Sequence, residues 1–187
     1  MTFFIGLLSS CSTIYGIKKI KPFDTKRVEK TIKNLHIDPN DNFLLTPSFK
    51  TYFTTLSDTS LKPIAKNHLQ PLQALYFDHN GKLTSYFINC YAGGFPNLNW
   101  NRNGNLNDFI PQTQAPLDTL LNLNKQLDFI QNSNKIQTAE YTVFIYWSTF
   151  MGRQTKRFIK EIKRNVSLAD NKKIVKIIYI NCDDLFN

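Results

Sequence analysis

Cysteine is scarce in this chain: Cys11, Cys90 and Cys182 are the only three in 187 residues, and no two are spaced as a dithiol or a zinc-ligand pair. The three histidines, His36, His68 and His79, also stand apart, so no metal site is expected. There is no phosphate-binding glycine loop, no Ser/His/Asp set and no supported pair of carboxylates, which leaves neither a cofactor nor a catalytic residue to assign. No apolar run approaches the roughly 20 residues needed to span a bilayer. Nucleic-acid motifs are absent as well. The 23 Lys and Arg against 14 Asp and Glu give a net charge of +9 and a pI near 9.5, yet the cations are scattered among Asn, Thr and Phe. The excess of Lys, Asn, Ile and Phe reads as the bias of an AT-rich genome, and no nucleic-acid partner is expected.

What is present suffices for a core: 42% of residues are hydrophobic and 13% aromatic, enough for one domain with a small N-terminal addition. Asp24 caps a helix with Val28, Thr31, Ile32 and Leu35 at helical spacing, ending near His36. Thr46-Pro47 opens a second helix, with Phe49, Tyr52, Phe53 and Leu56 on one stripe, and a short third precedes Pro71. Asn80-Gly81 between Leu72–Asp78 and Lys82–Cys90 predicts a β-hairpin. Ala115-Pro116 opens a helix whose apolar side carries Leu117, Leu120, Leu121, Leu127 and Ile130. A strand apolar on both faces, Thr142–Trp147, then leads to a helix over about Gly152 to Val166 and a final strand over Ile174–Ile180. Phe158, Ile159, Ile162 and Val166 form the buried stripe of that helix; its basic remainder is either solvated or a docking surface for an acidic partner.

The first eleven residues end in Leu8-Ser9-Ser10-Cys11, which resembles a bacterial lipobox. The resemblance implies a signal peptide over 1–11, lipid on Cys11, a tether over 12–23 and a bacterial lipoprotein held at the outer membrane, facing the periplasm. A basic n-region is missing, as is the acidic pair after Cys11 that sends some Bacteroidetes lipoproteins to the cell surface. Lys18, Lys19 and Lys21 in the tether either favour anionic headgroups or form a solvated linker.

The run from Tyr141 to Cys182 is similar to the centre of a thioredoxin: a buried strand ending in Trp147, a short turn, a helix and a second apolar strand. Thioredoxins carry Cys-Gly-Pro-Cys at the start of that helix, where free amides and the helix dipole lower the first thiol's pKa. Here Met151-Gly152-Arg153-Gln154 fills the slot, so Trp147, Met151 and Gln154 mark degenerate redox positions. The part that should follow lies upstream: Pro71 before an apolar strand and an Asn-Gly turn, then a closing helix from Leu117. The resemblance implies an α/β fold with a mixed four-stranded sheet flanked by helices, in circularly permuted order over 71–187, behind a helical extension over 24–70. In that order Val143–Trp147 is central, the hairpin pairs antiparallel on one side, and Ile174–Ile180 runs parallel on the other. Cys90 and Cys182 fall on opposite sides of such a sheet, which leaves a disulfide or two buried thiols open.

The function this implies is binding at the cell envelope without redox chemistry, by a membrane-anchored protein with an envelope protein as partner. The loop from Tyr91 to Gly104 is the contact region: Gly93 and Gly94 permit close approach, Phe95 and Trp100 supply apolar area, and Arg102 supplies hydrogen bonds. Alternatively Phe95 and Trp100 plug the core. Two other readings stay open: an enzyme of another, non-redox chemistry, and a structural or immunity-type lipoprotein. Asp183-Asp184 lies near the degenerate slot, but neighbours on a strand point to opposite faces.

Overall fold

The computed structural model describes residues 16–89 and 99–186; Cys11, Cys90, Tyr91, Gly93, Gly94 and Phe95 lie outside them. Helix α1 (Thr25–Leu35) is capped by the Asp24 carboxylate, which accepts from the Arg27 amide, and stops at His36, which is left-handed at φ 51°. Strand β1 (Asn42–Leu44) and helices α2 (Pro47–Thr54) and α3 (Lys62–His68) follow. Then come the hairpin strands β2 (Gln73–Phe77) and β3 (Leu83–Ile88), the short helix α4 (Leu123–Asp128), strand β4 (Tyr141–Trp147), helix α5 (Arg153–Val166) and strand β5 (Val175–Asn181).

The sheet runs in the order β1-β5-β4-β2-β3. β4 is parallel to β5, with Phe144 opposite Ile178, and antiparallel to β2, with Phe144 opposite Leu75. The hairpin therefore meets β4 as the strand's two apolar faces require. Four strands were expected and the sheet has five, because Asn42–Leu44, inside the helical extension, pairs parallel with β5. Only three residues long and without strict alternation, β1 has no pattern that sequence reading can detect.

Strand side chains alternate between two cores. Leu75, Phe77, Phe144, Tyr146, Ile178 and Ile180 pack with Phe49 and Phe53 of α2. Ala74, Tyr76, Val143, Ile145, Trp147 and Tyr179 pack with Val28 and Ile32 of α1 and with Phe158, Ile159 and Ile162 of α5. Phe49, Phe144 and Phe158 have no exposed surface, and burial of such a ring contributes about 1.5–3 kcal/mol.

The helix expected from Leu117 shrinks to the six residues of α4. The apolar spacing loses to two short polar side chains. Asp118 accepts from the Leu120 amide at 2.9 Å, folding a turn, and Asn122 caps α4 by accepting from Lys125 at 2.8 Å. Leu117 is left exposed. The hairpin turn is likewise built on a carboxylate: Asp78 accepts from the Asn80 and Lys82 amides, and Gly81 alone takes positive φ, at 72°.

Both sheet edges are covered. Along β3, the Gln114 and Ala115 amides donate to the Tyr86 carbonyl while the Tyr86 and Ile88 amides donate to Thr113 Oγ1 and Gln114 Oε1. Beyond β1, the Thr46 amide donates to the Phe129 carbonyl and the Gln131 amide to the Leu44 carbonyl.

Candidate functional site

The site lies where β4 runs into α5. Trp147 ends the strand fully buried, its ring N–H donating to Asn42 Oδ1 at 2.9 Å. Met151 and Gln154 both turn inward, 4% and 2% exposed, so neither presents its side chain to solvent. Gly152 precedes α5 at φ 54° and ψ −117°, a conformation that side chains disfavour.

Across this slot lies the chain's own N-terminal segment. The Lys18 amide donates to the Phe150 carbonyl at 2.7 Å, and the Gly16 carbonyl sits where a β-carbon on Gly152 would have to go. Beside the strap is a depression of about 780 Å³ lined in part by Gly16, Thr31, Ser148, Thr149 and Lys156. A smaller hollow of about 160 Å³ is lined by Lys18, Lys19, Lys21, Arg27, Thr149 and Asp183.

Asp183 is the buried charge of the site, 3% exposed on the turn after β5. It accepts from the Thr149 amide at 2.7 Å and from the Thr149 hydroxyl at 2.6 Å. Arg27 Nε donates to the same hydroxyl oxygen at 3.2 Å, which fixes the hydroxyl proton toward Asp183. Asp184, its neighbour on the same short 3-10 turn, is exposed, so the two carboxylates do not share the site.

The chemistry available is narrow. A thioether cannot ionise, and an amide cannot resolve a mixed disulfide. Cys182 is near, with Sγ 3.2 Å from the Trp147 carbonyl and 3.4 Å from that of Pro71, and it is a free, buried thiol. Burial first, and the Asp183 charge second, push that thiol well above its usual range, so it carries little thiolate near neutral pH. Among the described residues, no three His, Cys, Asp or Glu side chains come together as metal ligands.

The contact loop fares differently. Trp100 is 3% exposed and packs on Phe158 with ring centroids 4.3 Å apart, so it belongs to the core. A large aromatic flanked by Asn99 and Asn101 gives no sign of which way it faces. Arg102 is exposed on a short turn and stays available. Sequence reading missed the alliance of Arg27, Thr149 and Asp183, because its members come from three distant segments. It also left His68 alone. His68 is fully buried, stacked between Phe53 and Tyr86, with Nε2 2.9 Å from Asp118 Oδ2 and Nδ1 3.2 Å from the Tyr86 hydroxyl. The pair ties α3 to the turn before α4.

No protein-family model, no curated protein and no solved structure matches this chain.

Proposed function

We propose that the chain is a lipid-anchored, redox-inactive, thioredoxin-like envelope protein that acts by binding. One observation carries the reading: at the slot where thioredoxins hold their thiols, Met151 and Gln154 are buried and the strap through Lys18 crosses the entrance. An incoming disulfide meets backbone there, and no thiolate. The order β5-β4-β2-β3, with β4 parallel to one neighbour and antiparallel to the other, supports a permuted thioredoxin-like core to which β1 adds an edge. Lipid on Cys11 places the domain at the bacterial outer membrane, facing the periplasm, where an envelope protein is its partner.

Fractionation of the native host with intact-mass analysis tests the anchor. The expected species sits in the outer membrane and begins at an acylated Cys11. An unmodified chain that retains Met1 to Ser10, recovered from the soluble fraction, refutes the anchor. An insulin-reduction assay on the same preparation is expected to stay at background, and turnover that survives Cys90→Ser with Cys182→Ser refutes the redox-inactive slot.

A further inference from the structure

The net charge of the chain is not spread over its surface. Segments 16–36 and 153–166 hold 13 of the 23 Lys and Arg but three of the 14 Asp and Glu, leaving ten cations against eleven anions in all the rest. Those two segments are the strap with α1 and the helix α5, which cover the same face of the sheet through Val28, Ile32, Phe158, Ile159 and Ile162. The inward stripes are apolar, so the cations are directed outward: Lys26, Lys30, Lys33, Lys156, Arg157 and Lys160 are all exposed. Lys163 ties the two helices by donating to the His36 carbonyl at 3.2 Å. Of the three acids in the layer, Asp24 and Glu161 are engaged locally, by Arg27 at 4.0 Å and Arg164 at 3.1 Å. The positive charge of the protein is thus a single sided layer, with the rest of the molecule close to neutral.

We propose that this layer is a docking surface for an anionic lipid bilayer, the one in which the chain is anchored; the inference rests on the lipid-anchor reading for the bilayer's proximity. Three observations favour lipid over other anions. Cys11 precedes Lys18 by seven residues, so acyl chains on Cys11 lie within about 25 Å of the layer even if the linker is fully extended. The strap carries Lys18, Lys19 and Lys21 around Ile20, which is 46% exposed, a basic run with an apolar side chain at its centre. The layer also presents convex helix surfaces and lysines, point charges suited to a fluid array of headgroups. A cation contributes near such a surface only within a Debye length, about 8 Å at physiological salt, so α1, α5 and the strap must meet the headgroups together.

The test uses the full chain carrying Cys11→Ser, which cannot be acylated, so its outcome is independent of whether Cys11 is lipidated in the host. Co-sedimentation is measured with vesicles of phosphatidylcholine alone and with about 30% phosphatidylglycerol, at low and at about 0.5 M salt. Expected is partitioning onto the anionic vesicles that is lost with salt and absent on the neutral ones. Each cation near the surface is worth about fivefold, so Lys156→Glu, Arg157→Glu and Lys160→Glu together lower partitioning by about 100-fold or more. The control, Lys62→Glu, Lys66→Glu and Lys135→Glu, makes the same change in net charge outside the layer and is expected to lower it far less. Equal loss in the two triple variants overturns the proposal, as does equal binding to neutral vesicles. Binding to a short DNA duplex without binding to anionic vesicles overturns it in favour of nucleic acid.

Discussion

Raising the pH should unfold this protein through its buried phenols. Tyr76, Tyr86 and Tyr146 have 1% exposure or none, and burial pushes each hydroxyl far above its ordinary value of 10.0, with the charge of Asp118 adding to the effect at Tyr86. Cys182 is displaced upward from 9.0 for the same reason. In the unfolded chain these groups ionise at their ordinary values, and in the native state they stay protonated. The unfolded state therefore binds fewer protons above pH 9, and stability falls with rising pH there while remaining indifferent to these groups below about pH 8. At pH 11 each tyrosine contributes on the order of 1 kcal/mol to unfolding and Cys182 on the order of 3 kcal/mol, in all several kcal/mol. Domains commonly hold only about 5–15 kcal/mol, so the fold should fail close to that pH. Absorbance at 295 nm reports phenolate directly, and circular dichroism reports the fold. Tyr76, Tyr86 and Tyr146 should ionise in one step that coincides with unfolding, together with Tyr179, whose hydroxyl burial also raises, and Tyr76→Phe should move the transition to higher pH. Smooth titration of all eight tyrosines near pH 10, with the circular dichroism unchanged, refutes the burial on which the reasoning rests.

Two substitutions probe the ties described above. Asp118→Ala strips the buried His68 of its Nε2 partner and frees the turn before α4, and should cost about 3 kcal/mol in urea unfolding; a loss under about 0.5 kcal/mol shows the pair to be idle. Gly152→Ala sets a β-carbon against the Gly16 carbonyl at a disfavoured φ of 54°, a strain of about 1–3 kcal/mol, so the strap should lift and trypsin should cut after Lys18 and Lys19 faster than in the parent; an unchanged cleavage rate and an unchanged melting temperature place the strap elsewhere.

Much of the frame was legible because its signals are local and redundant. The α5 stripe of Phe158, Ile159 and Ile162, the Asp24 and Pro47 helix starts and the Asn80-Gly81 hairpin each combine periodicity with a terminus or turn residue. The antiparallel partner of β4 followed from burial: Val143–Trp147 is apolar on both faces, and only the hairpin could fill its open edge. Failures came where side-chain hydrogen bonds overrode apolar spacing. Asp118 and Asn122 broke the helix expected from Leu117, and no hydrophobic count weighs a carboxylate's reach to an amide two residues away. The site was half legible for the same reason. Met151 and Gln154 are readable as residues that lack a thiolate, but the Thr149 and Asp183 bonds join positions 34 apart, and Arg27 comes from 122 residues away.

The covered edges and the one-sided charge together restrict how such a domain can engage anything. Strand addition needs an open row of amides and carbonyls, and here β3 is closed by Thr113, Gln114 and Ala115 while β1 is closed by Phe129 and Gln131. The junction of β4 and α5 is closed as well, by buried Met151 and by the strap. Among the described residues, engagement then runs through helix surfaces and exposed side chains such as Arg102. If the basic layer of α1 and α5 lies on the bilayer, α2, α3 and α4 pack on the opposite face of the sheet and point away from it, on the near-neutral remainder of the chain. A protein partner of a domain held this way meets that outer layer, and charge reversal on α5 should lift the domain off the headgroups, its Cys11 tether still in place, without weakening the partner.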